Sequence, residues 1–515
     1  MKPSLALVLA STLLWAGNPD PARLRKDVFH LAGPECEGRA TGEPGQRKAA
    51  AYIARRMKAN GLQPLKGPGM GGETPYHFRY TLTRSRLDPA ATTLAMNGVR
   101  LQVGEDFMSF LQESAEGEAL FVGYGIHAPD QGWDDYQGAD LKGKWAVMIS
   151  GQPALREGPF NGQAHHPAAT EAAKQKAAME AGALGVVVLQ GTHEGDPDLK
   201  QGFARLARTL LEPRLSLDGG KRHAALPRRV GLYPSGARAF GLDPATLQKT
   251  LDEAGRPSPP RSLGRMALTW TVKEEPVPAS DVVGLIPGRD PKLKHEFVIV
   301  SAHHDHLGLE GGVLHPGADD DASGTAGILE TARLVRQARP RRSVLFLSVS
   351  GEEIGLFGSE AFLAAPPVPL DRVVADLNLD MIGRGRPDEL HVTPARIEGA
   401  VTTLTAEARR IGEAQGFPLS CGAEAYWRRS DHFNFVKKGI PAVFFFAGMH
   451  ADYHQPSDTP DKIDYRKLAR VVRLARDLAL SVANAPGRPQ PVPKEVYDSW
   501  TWTYTATEAE PSLGN

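Results

Sequence analysis

The sequence predicts an α/β fold, in which a mixed, mostly parallel central sheet is flanked by helices and a smaller β-rich α/β domain is inserted. One observation is a short apolar run, 297–300, that passes through a Gly-rich loop into a helix-like segment, 322–338. Such a run followed by a helix is typical of the strand and crossover of an α/β unit. A second observation is a change of sequence pattern between 113 and 270, where short β-like runs alternate with turns that contain Gly and Asp.

Four apolar runs of the predicted central sheet end in His, Asp or Glu. They are "VIVSAHHD", "VLFLSVSGEE", "VVADLNLD" and "AVFFFAGMHADYH". In open α/β sheets, ligands bind beyond the carboxyl ends of the strands. Because imidazole and carboxylate groups are ligands of divalent metal ions, the sequence predicts a metal site at this edge of the sheet.

The N-terminus has the pattern of a secretory signal peptide. Lys2 is followed by an uncharged apolar stretch, 5–15, which is too short to span a bilayer and fits a signal-peptide core. We therefore expect an exported protein, periplasmic or secreted; a buried N-terminal helix is the alternative interpretation. No later stretch is long and apolar enough to cross a membrane, so no integral membrane segment is expected after removal of the signal.

The charge balance argues against some classes of partner. Among 515 residues, 60 Lys and Arg are matched by 60 Asp and Glu. Because the sequence has no excess of positive charge, binding to nucleic acid or to an anionic membrane surface is not expected. The two cysteines, Cys36 and Cys421, lie far apart in the sequence, which is compatible both with a disulfide and with two free thiols.

The chain exceeds the length of one typical domain, about 100–200 residues, and divides into four expected parts. These are a signal peptide at 1–17, a metal-bearing domain at 18–112 and 271–485, an insert at 113–270, and a Pro-rich C-terminal tail at 486–515. The insert has few clustered His or carboxylate residues. No chemistry of its own is therefore expected.

The number of metal-binding side chains matches the needs of a two-ion site. Two ions require a bridging carboxylate, two His and two further carboxylates, and such sites activate a hydroxide between the ions. They also require a general base and a carboxylate that orients a ligand His. The loop "GADDDASG" offers three consecutive carboxylates, Asp319, Asp320 and Asp321, as candidates for the bridge, and the residues alone leave the register open.

Five motifs together resemble those of the co-catalytic di-zinc aminopeptidases and the related glutamate carboxypeptidase type of metallopeptidase. They are "SAHHDHLG", "GADDDASG", "SGEEIGLFGS", "LDMIG" and "YHQPSDTPDKID". The resemblance covers roughly 20–110 and 275–485. It implies a zinc exopeptidase-like fold, peptide substrates and two Zn²⁺, with other divalent ions as possible replacements.

The resemblance also implies the role of each site residue. The metal ligands would be His303, Asp320, Glu353, Asp380 and His454. One ion would take His303, Asp320 and Asp380, and the other Asp320, Glu353 and His454. Glu352 would be the general base and Asp305 the carboxylate that orients His303.

Further residues near these motifs have less defined expectations. The resemblance places Tyr453 and Arg429 at the substrate, although Arg428 and Arg429 are also compatible with plain solvated charges. Four other histidines lie close to the motifs in sequence, and each is interpreted as a surface residue or a residue behind the ligands. They are His304, His306, His315 and His450.

The insert resembles a protease-associated domain through "DLKGKWAVMI" and "KAAMEAGALGVVVL". For the whole chain we expect an exported zinc-dependent exopeptidase, an aminopeptidase that uses a metal-bridging hydroxide and Glu352 as general base. The alternatives are a carboxypeptidase of the same family, a single-zinc glutaminyl cyclase, and a non-catalytic receptor-like binding protein. The insert and the complete set of ligands both count against the cyclase, and the presence of all five ligands and the base counts against the receptor-like protein.

Overall fold

The computed structural model describes residues 17–155, 160, 166–190, 202, 205, 207–217, 228–396 and 401–498. Residues 1–16 of the expected signal peptide and the part of the expected tail beyond 498 lie outside these ranges. The chain divides into two compact units, unit 1 with Met1–Leu82 and Pro276–Asn515, and unit 2 with Thr83–Glu275. No helix in the described part of the chain is both long and apolar enough to cross a membrane.

Helices and strands alternate along most of the described chain. The α-helices are α1 (Pro21–Leu31), α2 (Pro44–Ala59), α3 (Glu171–Glu180), α4 (Pro234–Ala239), α5 (Pro244–Ala254), α6 (Ala322–Ala338), α7 (Phe357–Ala364), α8 (Thr403–Ala414), α9 (His432–Val436), α10 (Tyr465–Asn484) and α11 (Lys494–Asp498). The strands are β1 (His77–Leu87), β2 (Thr93–Met96), β3 (Val99–Gln102), β4 (Phe107–Ser109), β5 (Ala115–Phe121), β6 (His127–Ala128), β7 (Trp133–Asp134), β8 (Trp145–Ile149), β9 (Gly185–Leu189), β10 (Arg214–Ser216), β11 (Arg229–Leu232), β12 (Arg261–Thr269), β13 (Val272–Ile286), β14 (Phe297–His303), β15 (Gly308–Glu310), β16 (Val313–His315), β17 (Ser343–Val349), β18 (Val373–Leu379), β19 (Leu390–Thr393), β20 (Leu419–Ser420) and β21 (Ala442–Phe446).

The sheet of unit 1 is mixed and its centre is parallel, as the sequence predicts. The strand order is β1-β13-β17-β14-β18-β21-β19-β20. Strand β14 is parallel to both of its neighbours, β17 and β18, and β18 is parallel to β21. Strands β17, β18 and β21 are buried at every position, because continuous apolar runs suit a parallel sheet covered on both faces.

Helices α6 and α10 belong to the hydrophobic core of unit 1. Helix α10 buries Leu468, Val471, Val472 and Ala475, which recur at the three- and four-residue spacing of a helix face. Helix α6 begins directly after the loop "GADDD". Its N-cap residue Asp321 accepts a hydrogen bond from the backbone N–H of Gly324 at 2.8 Å, so the cap fixes where this loop ends.

Unit 2 contains its own mixed sheet and begins earlier than the sequence predicts. The strand order is β3-β2-β12-β5-β8-β9-β11-β4. The expected insert starts at 113, but β2 pairs antiparallel with β12, and β4 pairs antiparallel with β11. These long-range pairings assign the strands between 93 and 109 to unit 2, which runs from Thr83 to Glu275 instead of from 113 to 270.

The two cysteines are free thiols. Cys36 is buried and Cys421 is half-buried, and neither forms a disulfide. The sequence is compatible with a disulfide or with two free thiols, and the structure contains free thiols.

Candidate metal centre

The carboxyl ends of four neighbouring strands of unit 1 carry the predicted metal-binding side chains. His303 is the last residue of β14, and Asp380 directly follows β18. Glu352 and Glu353 follow β17, and His454 lies in the loop after β21. Because β17, β14, β18 and β21 are parallel, these side chains meet at one edge of the sheet.

Asp320 lies between the two predicted groups of ligands. His303 Nε2 is 3.2 Å from Asp320 Oδ1 and 3.5 Å from Asp380 Oδ1. His454 Nε2 is 3.2 Å from Asp320 Oδ2 and 3.1 Å from Glu353 Oε2. The five predicted ligands are thus brought together, and Asp320 offers one oxygen to each group.

These distances fit two divalent ions. Two ligand atoms bound to a tetrahedral zinc ion at about 2.0–2.1 Å lie about 3.3 Å apart. The four contacts range from 3.1 to 3.5 Å. Within the described residues, Asp380 Oδ1 and His454 Nε2 are buried and have no hydrogen-bond partner, so both atoms are available to a metal.

The carboxylates on either side of Asp320 are engaged elsewhere. Asp321 Oδ1 accepts hydrogen bonds from the backbone N–H groups of Gly324 at 2.8 Å and Met381 at 3.1 Å. Asp319 Oδ1 accepts one from the N–H of Gly383 at 2.7 Å. Of the three registers considered for "GADDD", the geometry therefore favours Asp320 as the bridge.

Asp305 is buried behind His303. Asp305 Oδ1 is 3.6 Å from His303 Nδ1, and the backbone oxygen of Asp305 lies 3.2 Å from the same nitrogen. Asp305 Oδ2 accepts a hydrogen bond from the hydroxyl of Thr41 at 2.7 Å, and Oδ1 accepts one from the backbone N–H of Glu352 at 3.3 Å. Its location suits the predicted role of orienting His303.

Ser430 supports Asp380, and the sequence analysis does not identify it. The hydroxyl of Ser430 donates to Asp380 Oδ2 at 2.7 Å, and the amide of Asn378 donates to Ser430 Oγ at 2.7 Å. All three side chains are buried. Oδ2 of Asp380 is held by Ser430, and the other oxygen, Oδ1, faces His303. In the sequence, the available signal for this role was a Ser directly before the segment "DHFNFV".

Arg39 is a second residue that the sequence analysis does not identify. Its guanidinium is fully buried and donates to the backbone oxygens of His304 at 2.8 Å, Leu31 at 2.7 Å, Pro316 at 2.7 Å and Gly317 at 2.9 Å. The carbonyls of His304, Pro316 and Gly317 lie close in sequence to the predicted ligands, and that of Leu31 belongs to the last residue of α1. Arg39 therefore connects the segment that contains His303 to the loop that contains Asp320.

Electrostatics within the cluster favour charged histidines and an ionised bridge when no metal is bound. Burial lowers the pKa of His303, but the carboxylates of Asp380 and Glu352 outweigh it, and the net pKa is well above its usual value. Burial raises the pKa of Asp320, but the adjacent imidazoles of His303 and His454 hold the net pKa well below its usual value. A bound dication would replace these protons.

Glu352 differs from its neighbour Glu353. Glu352 Oε2 lies 4.0 Å from His303 Nε2, beyond hydrogen-bond distance. Burial raises the pKa of Glu352, and the nearby charge of Glu353 raises it further. Glu352 thus remains a carboxyl group in the pocket that is suited to accept a proton.

A cavity of about 40 Å³ opens over the cluster. Its apolar wall consists of Met381, Tyr426, Phe444, Phe446 and Met449. Tyr453 and Arg429, both predicted at the substrate, also line it. Arg428 does not: its guanidinium lies 5.5 Å from the centre of the Trp427 ring.

The remaining histidines are more buried than a surface location implies. His304, His306 and His315 are all buried, and His450 lies 3.3 Å from Asp319 Oδ2. His304 faces away from the carboxylates, since its Nε2 is 2.8 Å from the amide of Gln46. Of the two predicted locations, on the surface or behind the ligands, burial excludes the surface for His304, His306 and His315.

Comparisons with known proteins agree with this geometry. Residues 281–479 match the model of peptidase family M28. The chain is 31% identical over 212 residues to a probable leucine aminopeptidase of Arthroderma otae, covering 39% of this chain and 57% of that protein. It is 31% identical over 262 residues to a probable zinc metalloprotease of Pyricularia oryzae, covering 41% and 51%. The chain thus spans about half the length of these curated relatives.

A solved structure shares the fold. An aminopeptidase from Aneurinibacillus sp. strain AM-1 superposes with a TM-score of 0.51 at 22% sequence identity, covering 92% of this chain and 95% of that one. The family match falls on the segment that carries every predicted ligand. Residues 281–479 therefore resemble the metallopeptidases of family M28 in sequence, and the ligand geometry of the same segment fits a metallopeptidase site.

Proposed function

We propose that the chain is an exported zinc-dependent aminopeptidase that hydrolyses peptides from a free N-terminus. The observation that carries the proposal is the position of Asp320, 3.2 Å from both His303 and His454. The names of the two relatives, a probable leucine aminopeptidase and a probable zinc metalloprotease, support the same activity and metal.

The residues of the chain have separable tasks in this reaction. His303, Asp320, Glu353, Asp380 and His454 would hold two ions, which would supply Lewis-acid chemistry for the scissile carbonyl and the attacking water. Glu352 accepts the proton of that water on a carboxyl oxygen and returns it to the leaving amine. Its raised pKa, caused by burial and by Glu353, suits it to both transfers.

Tyr453 is assigned to the developing negative charge on the substrate oxygen. Burial raises the pKa of Tyr453, and the charge of Asp320 raises it further, so the hydroxyl keeps its proton. Its ring stacks on that of His454, with the ring centres 3.8 Å apart. A protonated hydroxyl beside the metal ligands is a suitable donor to an oxyanion.

The negative charge of the site favours a substrate ammonium. Glu352, Glu353, Asp320 and Asp380 all line the cavity. Two dications offset much of this charge, but oxygens that do not bind metal still accept hydrogen bonds from an α-ammonium. Charge-assisted bonds of this kind are about twice as strong as neutral ones.

A carboxypeptidase is the second candidate, and one observation favours it. Arg429 lines the cavity and offers a guanidinium to a substrate carboxylate. The test compares a short peptide with its N-acetylated form, each with and without a chelator. We expect acetylation and the chelator each to abolish hydrolysis. Equal rates on both peptides, or release of residues from the C-terminus, would move the assignment to Arg429 as the anchor.

Zinc content separates the remaining alternatives. The di-zinc enzyme binds two ions per chain, a single-zinc glutaminyl cyclase binds one, and a receptor-like protein binds none. Measurement of bound metal in the purified chain therefore distinguishes all three.

Two further parts of the proposal concern the rest of the chain. Export implies removal of residues 1–17, which the mass of the secreted protein would reveal.

Unit 2 is proposed to be a protease-associated insert without catalytic residues. Limited proteolysis should then cut in the loop 255–260, which precedes β12, before it cuts within 300–450.

A further inference from the structure

His306 makes the shortest contact of any histidine in the candidate metal centre. It is buried, and its Nδ1 lies 2.6 Å from Glu353 Oε1. Its ring meets that of His454 edge to face, with the ring centres 5.6 Å apart. Gly317 makes room for it, because a Cβ at that position would lie 2.5 Å from the ring carbons of His306.

The distances indicate whether His306 is a metal ligand or a hydrogen-bond donor. Its Nδ1, Glu353 and Asp320 together offer atoms within 4.8 Å of one another, close enough to hold an ion. Two ligands of one zinc ion, however, lie about 3.3 Å apart. The 2.6 Å separation from Glu353 is too short for that arrangement and matches a charge-assisted hydrogen bond.

The two oxygens of Glu353 have different partners. Oε1 accepts from His306, whereas Oε2 lies 3.1 Å from Nε2 of His454. The second distance is close to that of two ligands on one ion. One oxygen is therefore held by His306, and the other is left to the metal.

The protonation of His306 follows from the same contacts. A bond to Glu353 requires a proton on Nδ1. Nε2 is buried and has no hydrogen-bond partner among the described residues. A buried, unpaired N–H is more costly than an unpaired lone pair, so the contacts favour the tautomer with its proton on Nδ1.

We propose that His306 is a positioning residue that restricts Glu353 to one oxygen as a metal ligand. The inference rests on the proposed di-zinc function. A carboxylate with both oxygens free binds an ion through both and fills two coordination positions, whereas a catalytic zinc ion keeps one position open. A donor that holds Oε1 preserves that open position and the orientation of Glu353.

Three substitutions distinguish the donor from the bulk of the ring. In His306→Asn, the amide N–H lies near the position of Nδ1. In His306→Gln it lies near the position of Nε2, and in His306→Leu there is no donor. The exposed His295 provides the matched control, His295→Asn.

The experiment titrates zinc on the full chain with a competing chromogenic chelator, and follows folding by circular dichroism. We expect two ions with unchanged affinity in the wild type, in His295→Asn and in His306→Asn. We expect His306→Gln and His306→Leu to bind one of the two ions about 10–100-fold more weakly, as is typical when a partner of a ligand is removed. In the Co²⁺-substituted protein, loss of the donor should weaken the visible absorption, because higher coordination numbers absorb less.

Two results would overturn the inference. If all three His306 variants retain wild-type affinity and absorption, the contact has no effect on the metal. If folded His306→Asn loses an ion as completely as His306→Leu, His306 is a ligand and not a donor. Fewer than two ions in the wild type would instead reject the di-zinc function itself, which keeps the two failures apart.

Discussion

The two units bury charged groups in different surroundings. In unit 1, His303 and Asp320 are buried in mutual contact with other titratable side chains at one end of a parallel sheet. In unit 2, Lys174 is buried and its amine donates to the backbone oxygens of Ile149 and Gly151. Asp135 is likewise buried and accepts hydrogen bonds from a backbone N–H and an indole N–H.

The difference shows which buried charges are available for chemistry. In unit 2, the described hydrogen bonds of Lys174 and of Asp135 Oδ2 are made with backbone groups and with the indole of Trp133, and only Asp135 Oδ1 is left without a partner among the described residues, so these groups serve the fold. In unit 1, carboxylates face other carboxylates, and atoms such as Asp380 Oδ1 have no hydrogen-bond partner among the described residues. Such an arrangement is costly without a cation, and it is therefore the expected arrangement for a metal centre.

The largest effect is expected from Asp320→Ala, which should remove both ions from unit 1. Asp320 is the only predicted ligand shared by the two groups, so its loss should reduce bound zinc toward none and activity to background. The sheet is built by apolar runs, so the protein should stay folded. Zinc content, peptide hydrolysis and circular dichroism are the measurements, with the exposed Asp371→Ala as control. Full activity in Asp320→Ala would refute the bridging role.

Glu352→Gln should separate catalysis from metal binding within unit 1. The amide keeps the size of the side chain but cannot accept the proton, and loss of a general base costs about 10²–10⁴ in rate. Zinc content should remain near that of the wild type. Glu353→Gln should instead lose metal, and the opposite pattern would mean that the two glutamates are reversed.

Ser430→Ala should weaken the ion held by His303, Asp320 and Asp380. Loss of the hydroxyl frees the outer oxygen of Asp380, and removal of such a partner costs about 10–100-fold in metal affinity. The chelator titration should show one weakened ion and one unchanged ion. Ser359→Ala is the comparison, because its hydroxyl donates to Asp431, which is not a predicted ligand. Equal effects of both changes would indicate a general loss of stability instead.

The sequence predicts the strands of unit 1 and its ligands because both depend on local patterns. Continuous apolar runs identify β14, β17, β18 and β21, and each predicted metal-binding side chain ends or follows one of these runs or directly precedes the N-cap of α6. The parallel order then brings these strand ends together. The sequence is equally informative about the fold class, which the structure confirms.

The missed features depend on contacts between distant residues. The start of unit 2 requires the pairing of β2 with β12, more than 150 residues apart along the chain. Arg39 and Ser430 are ordinary residues in sequence, and only their buried partners reveal their function. His306 looks like a loop histidine until its distance to Glu353 is known.

The last effect is expected in unit 2, on stability and not on metal binding or activity, because the charge of Lys174 is a cost to the fold. Burial lowers the pKa of Lys174 to about 8, from 10.5 in an exposed lysine. Below pH 8 the amine is charged in both the folded and the unfolded states, so the full cost is present. Between these two pKa values only the unfolded state keeps the proton, and stability therefore rises with pH.

Lys174→Met removes this titration and provides the test. The difference between the two pKa values corresponds to about 3 kcal/mol, at about 1.4 kcal/mol per unit. Hydrogen exchange of peptides from β8 and β9 reports the local stability of unit 2. We expect protection in the wild type to increase from pH 8 toward pH 10, after correction for the intrinsic exchange rate, and the variant to show a flatter profile. Subtracting the variant cancels contributions from the buried tyrosines that both proteins share. A wild-type profile as flat as that of Lys174→Met would mean that the two backbone oxygens stabilise the charged amine fully, and that unit 2 bears no cost for it.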